Sequence, residues 1–414
     1  MPETDPQVPP PRPVNLRVLR WLTFALFLLF ALTSESVGVI IPAVIREYHL
    51  GMTVAGSFHY ATMSGIALGG ALLGFLVDRI GPKSAILGGL FVFGLSCTLF
   101  AVNNRFGAFV ALLFLGGLAI GLFKTAALSL IGDISTSATS HTTTMNMVEG
   151  FFGLGAIIGP AIVAYLLGAG SSWKWLYVLA ACLCVVIAIC TVAVPFPAHA
   201  RAGQQTGTGI SRRRLFLDPY TLGFAMAAML YVGTETAIYV WMPTLLQGSG
   251  APWPWLTAYA LSLFFALRAV GRFLGAWLLK HLAWEQVMAV CATTVFLCFG
   301  VALLAPERLA VFALPLSGLF MSVIYPTINS KAISAFPRET HGAIAGILLF
   351  FTCVSAVLAP LAMGIISERS NTPLDGFKLA VVFAGAQGLL CLANMVWRPA
   401  RSRLALYDEG RERG

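Results

Sequence analysis

The chain has 414 residues, of which 58% are hydrophobic and 10% charged, against about 25% charged in a soluble domain. That balance excludes a water-soluble globular protein and leaves a polytopic membrane protein built from apolar helices of about 20 residues. The net charge of +9 does not point to nucleic acid as a partner, because the basic residues stand singly between apolar runs, where they act as topology signals.

In chain order, the N-terminal stretch "MPETDPQVPPPRPVNLR" is polar and Pro-rich and lacks the charged-then-apolar order of a signal peptide. Residues 1–17 are therefore expected to be a disordered cytoplasmic tail. Apolar runs long enough to cross a bilayer follow at 18–43, 55–77, 84–103, 108–131, 145–168 and 174–195. A polar, Gly- and Arg-containing linker, 196–217, separates them from a second set at 218–245, 254–276, 285–304, 309–333, 341–366 and 376–397. Residues 398–414 read as a second cytoplasmic tail. The expected fold is an all-α membrane protein with twelve transmembrane helices in two six-helix bundles, 18–195 and 218–397.

The eight cysteines all fall inside apolar runs without zinc-ligand spacing, so they read as buried free thiols and no metal site is expected. No HExxH, GxSxG or Walker phosphate loop occurs. Neither catalytic residues nor a cofactor are assigned, and the chain is not expected to be an enzyme.

Of the 26 basic residues, eighteen fall in segments on the side of the two termini and six on the other, which places both termini in the cytoplasm and the protein in the inner (plasma) membrane. Two, Lys124 and Arg268, are left inside the membrane.

Laid against itself at an offset close to 200, the chain repeats. "GGALLGFLVDRIG" (69–81) meets "VGRFLGAWLLKHL" (270–282), pairing Gly70 with Gly271 and Gly74 with Gly275. "SESVGVIIP" (34–42) meets "TETAIYVWMP" (234–243), "GLFK" (121–124) meets "GLFM" (318–321), and Pro160 meets Pro360. Four matches in one order predict two pseudo-symmetric repeats with a substrate site at their interface near the bilayer midplane.

These features resemble the major facilitator superfamily over nearly the whole chain. The stretch "GFLVDRIGPKSAILGG" (74–89) carries the superfamily's pattern of glycines, an acid and bases between the second and third helices. Gly74 and Gly81 permit a tight turn, and Arg79 and Lys83 anchor it to the inner side. The resemblance makes Asp78 part of a gate that breaks as the halves rock; the residues alone also allow a structural turn. Within the superfamily, "NMVEGFFGLGAIIGP" (146–160), "YVGTETAIYVWMPTLL" (231–246) and "GLFMSVIYPTINSKAI" (318–333) are similar to the branch of fucose, glucose and galactose transporters. That resemblance implies proton-linked sugar uptake by alternating access. The partners are then a small-molecule substrate, protons and the lipid bilayer, for a monomer.

A charge at the centre of a membrane helix costs roughly 2.5–3.5 kcal/mol on insertion scales, so it is expected to face a cavity or a partner. The candidates are Glu35, Lys124, Glu149, Glu235 and Arg268. Lys124 lies about 10 Å from the inner surface and Glu149 roughly 6 Å, counted at 1.5 Å per residue. A Lys124–Glu149 pair is therefore expected. Glu35 and Glu235 occupy corresponding places in the two repeats. Either can carry a proton, since desolvation favours the neutral acid and a nearby cation the carboxylate; hydrogen bonding to Ser34, Ser36 or Thr234 is the alternative. Arg268 either lines the cavity or snorkels, as Arg272 one turn away can.

Asn146, Phe151, Phe152, Tyr231, Tyr239, Trp241, Tyr325 and Asn329 complete a pool of solute contacts on the segments similar to the sugar branch, where aromatics beside amides suit a polyol. In one respect the chain departs from that branch: its members carry a carboxylate at about the place of Lys124. Two alternatives to sugar transport thus stay open. One is an organic anion held by Lys124 and Arg268. The other is export of drugs or metabolites, against which Gly159-Pro160 stands in the reverse of the usual exporter order.

Overall fold

The computed structural model describes residues 15–134, 138–197, 212–247, 253–305, 307–337 and 340–408. Twelve long helices follow one another. They are α1 (Leu16–Ser34, resuming at Val37–Tyr48), α2 (Ser57–Ile80), α3 (Pro82–Val102), α4 (Phe106–Ile134), α5 (Ala138–Gly168) and α6 (Trp175–Ala193). The second set is α7 (Pro219–Thr236, a π-turn Ala237–Trp241, then Met242–Gln247), α8 (Pro254–His281), α9 (Trp284–Leu304), α10 (Glu307–Met321, resuming at Ile324–Ser334), α11 (His341–Ser370) and α12 (Pro373–Trp397). Eleven of these are long and apolar enough to cross a bilayer; α2, of 24 residues, completes the bundle. Helices satisfy every backbone donor within the segment, which is what a medium without water demands.

The repeat seen in the sequence recurs in the packing. Helix α2 packs on α4 as α8 does on α10, α1 on α5 as α7 on α11, and α3 on α6 as α9 on α12. Small residues make the first of these contacts possible. Gly121 of α4 meets the backbone of α2 at Gly69 and Gly70, and Gly271 of α8 meets α10 at Leu319, positions where any side chain would collide with the facing helix. Large apolar side chains such as Phe273, Trp397 and Leu304 point outward instead, where lipid covers them.

Three expectations are refined. The eight cysteines are free, but Cys182 and Cys190 face outward from α6 and are exposed rather than buried. Within the expected linker, Arg212–Phe216 forms a short helix, while residues 198–211 lie outside the described part, as do residues 1–14 of the N-terminal tail. Within the expected C-terminal tail, a further helix α13 (Arg401–Asp408) folds back onto the second bundle. Its Arg403 bonds both oxygens of Asp218, at 3.1 and 2.9 Å, and sits between the rings of Tyr220 and Phe336. Asp218 in turn caps the start of α7 through the Tyr220 and Thr221 amides.

With twelve crossings, the start of α1 and the end of α12 lie on one face of the bundle, called the terminal face below.

Candidate functional site

The first helix of each half breaks at the same place in its repeat. In α1 the turn falls at Glu35 and Ser36; in α7 the π-turn Ala237–Trp241 begins two residues after Glu235. Such interruptions release backbone groups from the helical ladder and recur at functional sites. Here they bring the halves into contact: Gly38 lies against the carbonyl of Tyr239, leaving no room for a Cβ. Glu35 and Glu235 are both buried, at 9% and 8% exposure.

Their surroundings differ. Glu235 accepts from Arg268 Nη1 at 2.6 Å and from the Tyr231 hydroxyl at 2.9 Å, and Arg268 Nη2 lies 3.4 Å from that hydroxyl. Tyr231 stacks on Tyr325 of α10, with centroids 5.7 Å apart. Arg268 therefore lines the interior, bonded to Glu235 and Tyr231 through its terminal nitrogens, and it does not snorkel. Glu35 accepts one bond, from the neighbouring Ser34 hydroxyl at 3.1 Å, while the charges of Glu235, Arg268 and Lys124 lie within electrostatic reach.

Lys124 does not pair with Glu149. Helix α5 packs against α8, so Glu149 turns to Arg272, whose Nη2 lies 3.5 Å from its carboxylate. Lys124 instead lies over the ring of Phe30 at 4.9 Å and of Phe27 at 5.9 Å, and no carboxylate stands within 4 Å of it among the described residues. The two groups lie at similar depth along their helices, but depth leaves open which way each side chain faces around its helix.

The remaining candidates divide. Phe152 packs on Phe30 at 5.3 Å and so borders the Lys124 wall, whereas Phe151 stacks on Phe24 at 5.0 Å and lies against Trp21. Asn146 is exposed on α5, and Asn329 is half-buried on α10. Trp241 is buried, its indole N–H donating to the Pro360 carbonyl at 3.0 Å. It belongs to a seal on the face opposite the termini.

That seal contains residues the sequence did not single out. Pro360 has no N–H to give the carbonyl of Ala356 one turn earlier, and His59 Nε2 of the other half bonds this freed oxygen at 3.0 Å. Tyr60 reaches the Pro360 carbonyl at 3.1 Å, Arg46 bonds Gln247 at 2.8 Å, and the Thr53 amide meets Glu368 at 3.4 Å. All four links join one half to the other. The pair "HY" at 59–60 in an otherwise apolar helix start was the available signal.

In the motif between α2 and α3, Gly81 adopts φ +81°, the left-handed region its turn requires. Lys83 donates to the carbonyls of Val192 and Val194 at 3.0 and 2.8 Å, closing the end of α6. Arg79 is exposed in the last turn of α2. Gly74 and the side chain of Asp78 lie outside the described part.

Comparison with known proteins agrees with this architecture. The profile of the Major Facilitator Superfamily matches residues 23–360. The chain is 24% identical to the L-fucose-proton symporter of Escherichia coli (strain K12), over 88% of this chain and 90% of the symporter. It is 22% identical to a putative glucose/galactose transporter of Helicobacter pylori (strain J99), over 89% and 92%. Among solved structures, a D-xylose-proton symporter superposes with a TM-score of 0.73 at 14% identity, covering 92% of this chain and 97% of that one.

Proposed function

The chain belongs to the Major Facilitator Superfamily, a family of transporters, and on that premise we infer that it is a proton-coupled secondary transporter of a sugar or sugar derivative working by alternating access. The observation that carries this reading is the unequal pair of carboxyls at the two helix breaks. Glu235 is fixed by Arg268 and Tyr231, whereas Glu35 has one weak partner and so is able to gain and lose a proton as its surroundings change. The sugar assignment is supported by relatives that match along almost their full length and whose names are those of a fucose-proton symporter and a glucose/galactose transporter.

The excess of basic residues on the terminal face orients that face to the cytoplasm. The seal of His59, Tyr60, Arg46 and Trp241 then closes the outer side, and the solute exchanges with the cytoplasm in this state. On this reading the 74–89 motif, with Asp78, Arg79 and Gly81, serves the closing of the inner side. Asn146, Phe152, Tyr325 and Asn329 are the uncharged groups available to a polyol.

The test is uptake of labelled sugars, neutral and acidic, into proteoliposomes with and without an inward proton gradient. Accumulation is expected only with the gradient. In Glu35→Gln the gradient should cease to drive accumulation while counterflow exchange continues. Gradient-driven accumulation surviving in Glu35→Gln would remove Glu35 from the coupling step.

A further inference from the structure

Among the described residues between the halves, Glu35, Glu149 and Glu235 stand against Lys124, Arg268 and Arg272, with Glu149 and Arg272 half-exposed towards the terminal face. Two pairs form, Glu235 with Arg268 and Glu149 with Arg272. Lys124 has no carboxylate within 4 Å among the described residues, and Glu149 and Glu35 act on it only at longer range. Its half-buried ammonium rests on the faces of Phe30 and Phe27, which offset only part of the cost of a cation within the membrane. A second donor is also unspent, since Arg268 Nε is buried without a hydrogen-bond partner.

Hydroxyls of a neutral sugar can accept from such donors but bring no charge to offset theirs, whereas a carboxylate supplies both the short charge-assisted bond and the opposite charge. Phe152, packed on Phe30, extends the apolar wall beside the ammonium and suits the C–H face of a sugar ring. We propose that the solute is an acidic sugar, a uronate or aldonate, whose carboxylate docks on Lys124. This rests on the sugar-transport reading above and narrows it from neutral hexoses to monoanions. The departure at Lys124 from the acid expected there thereby acquires a role: the base is complementary to the cargo.

The experiment uses the purified full chain, by thermal melting and by uptake into proteoliposomes, with D-glucuronate, D-galacturonate and D-gluconate set against D-glucose, D-galactose and L-fucose at matched ionic strength. At least one acid should raise the melting temperature saturably and be taken up. The methyl ester of the active acid, with the same carbon skeleton and no charge, should fail to compete on the unmodified protein. Lys124→Gln should weaken binding of the acid by about tenfold or more, the scale of losing one charge-assisted bond, and Lys124→Arg should retain part of it. Saturable uptake of a neutral hexose with no response to any acid overturns the proposal and leaves the transport reading standing. Equal competition by the methyl ester, or unchanged acid binding in Lys124→Gln, overturns it as well. No saturable response to either class overturns both.

Discussion

Arg268 is the residue on which the electrostatics of the interior turn. It is the cation nearest Glu235, and its guanidinium also reaches the Tyr231 hydroxyl. Both partners are mostly buried, with side-chain exposures of 17% and 10%, so removing one leaves the other charged and without compensation. Breaking a buried pair in this way costs about 3–5 kcal/mol. Arg268→Gln is thus expected to melt well below the parent protein, and Glu235→Gln added to it should recover most of the loss. Tyr231→Phe, which removes one hydrogen bond, should cost about 1 kcal/mol. A thermal double-mutant cycle over Arg268 and Glu235 measures the coupling; additive effects would show that the pair does not act as a unit. The corresponding test on the other side of the membrane core is Arg272→Gln. Glu149 is half exposed there, and surface pairs contribute about 0–1 kcal/mol, so little change in melting is expected.

At the scale of the helix, the ends and interruptions carry the particular chemistry. Lys83 closes α6 by bonding two of its terminal carbonyls, those of Val192 and Val194, which have no intrahelical donor. Lys83→Met keeps the apolar stem and loses both bonds, so a destabilisation of about 1–2 kcal/mol is expected in thermal melts. Unchanged melting would mean that Lys83 serves topology alone, the role its position in the motif suggests. Helix α11 shows how far the sequence can be read. That Pro160 and Pro360 occupy matched places is visible in the repeat, and a proline inside a helix necessarily frees a carbonyl. That His59, 297 positions away, would take the freed oxygen is not visible, because such a bond depends on how the halves dock.

For the whole molecule, the bilayer makes much of the architecture legible and leaves the pairings obscure. Hydrocarbon thickness sets helix length and the backbone's need for internal bonds sets helix type, so the twelve spans and the repeat follow from apolar runs and matched glycines. The partner of each buried charge does not follow, since residues advance by about 100° around the helix and rotation is fixed by packing. Lys124 and Glu149 were matched in depth and still face different neighbours. What the packing establishes is an asymmetry between the faces: of the five cross-half side-chain links among the described residues, four lie opposite the terminal face and one, Glu149–Arg272, lies towards it. If the halves rock, the four must break together for the solute to enter from that side. Arg46→Cys with Gln247→Cys, in a background cleared of native cysteines, places two thiols on the facing stems of side chains whose tips touch at 2.8 Å, leaving a gap for a linker to span. A short bifunctional thiol reagent should then hold the seal shut and stop counterflow, and a reductant that cleaves the linker should restore it. Pro360→Ala returns an N–H to the Ala356 carbonyl and withdraws the acceptor from His59. Loss of that one bond, worth about 1 kcal/mol, should lower the closed-to-open ratio about fivefold and slow the crosslinking reaction as far as the closed fraction falls. Counterflow that continues unabated in the crosslinked protein would show that the solute passes without parting these contacts.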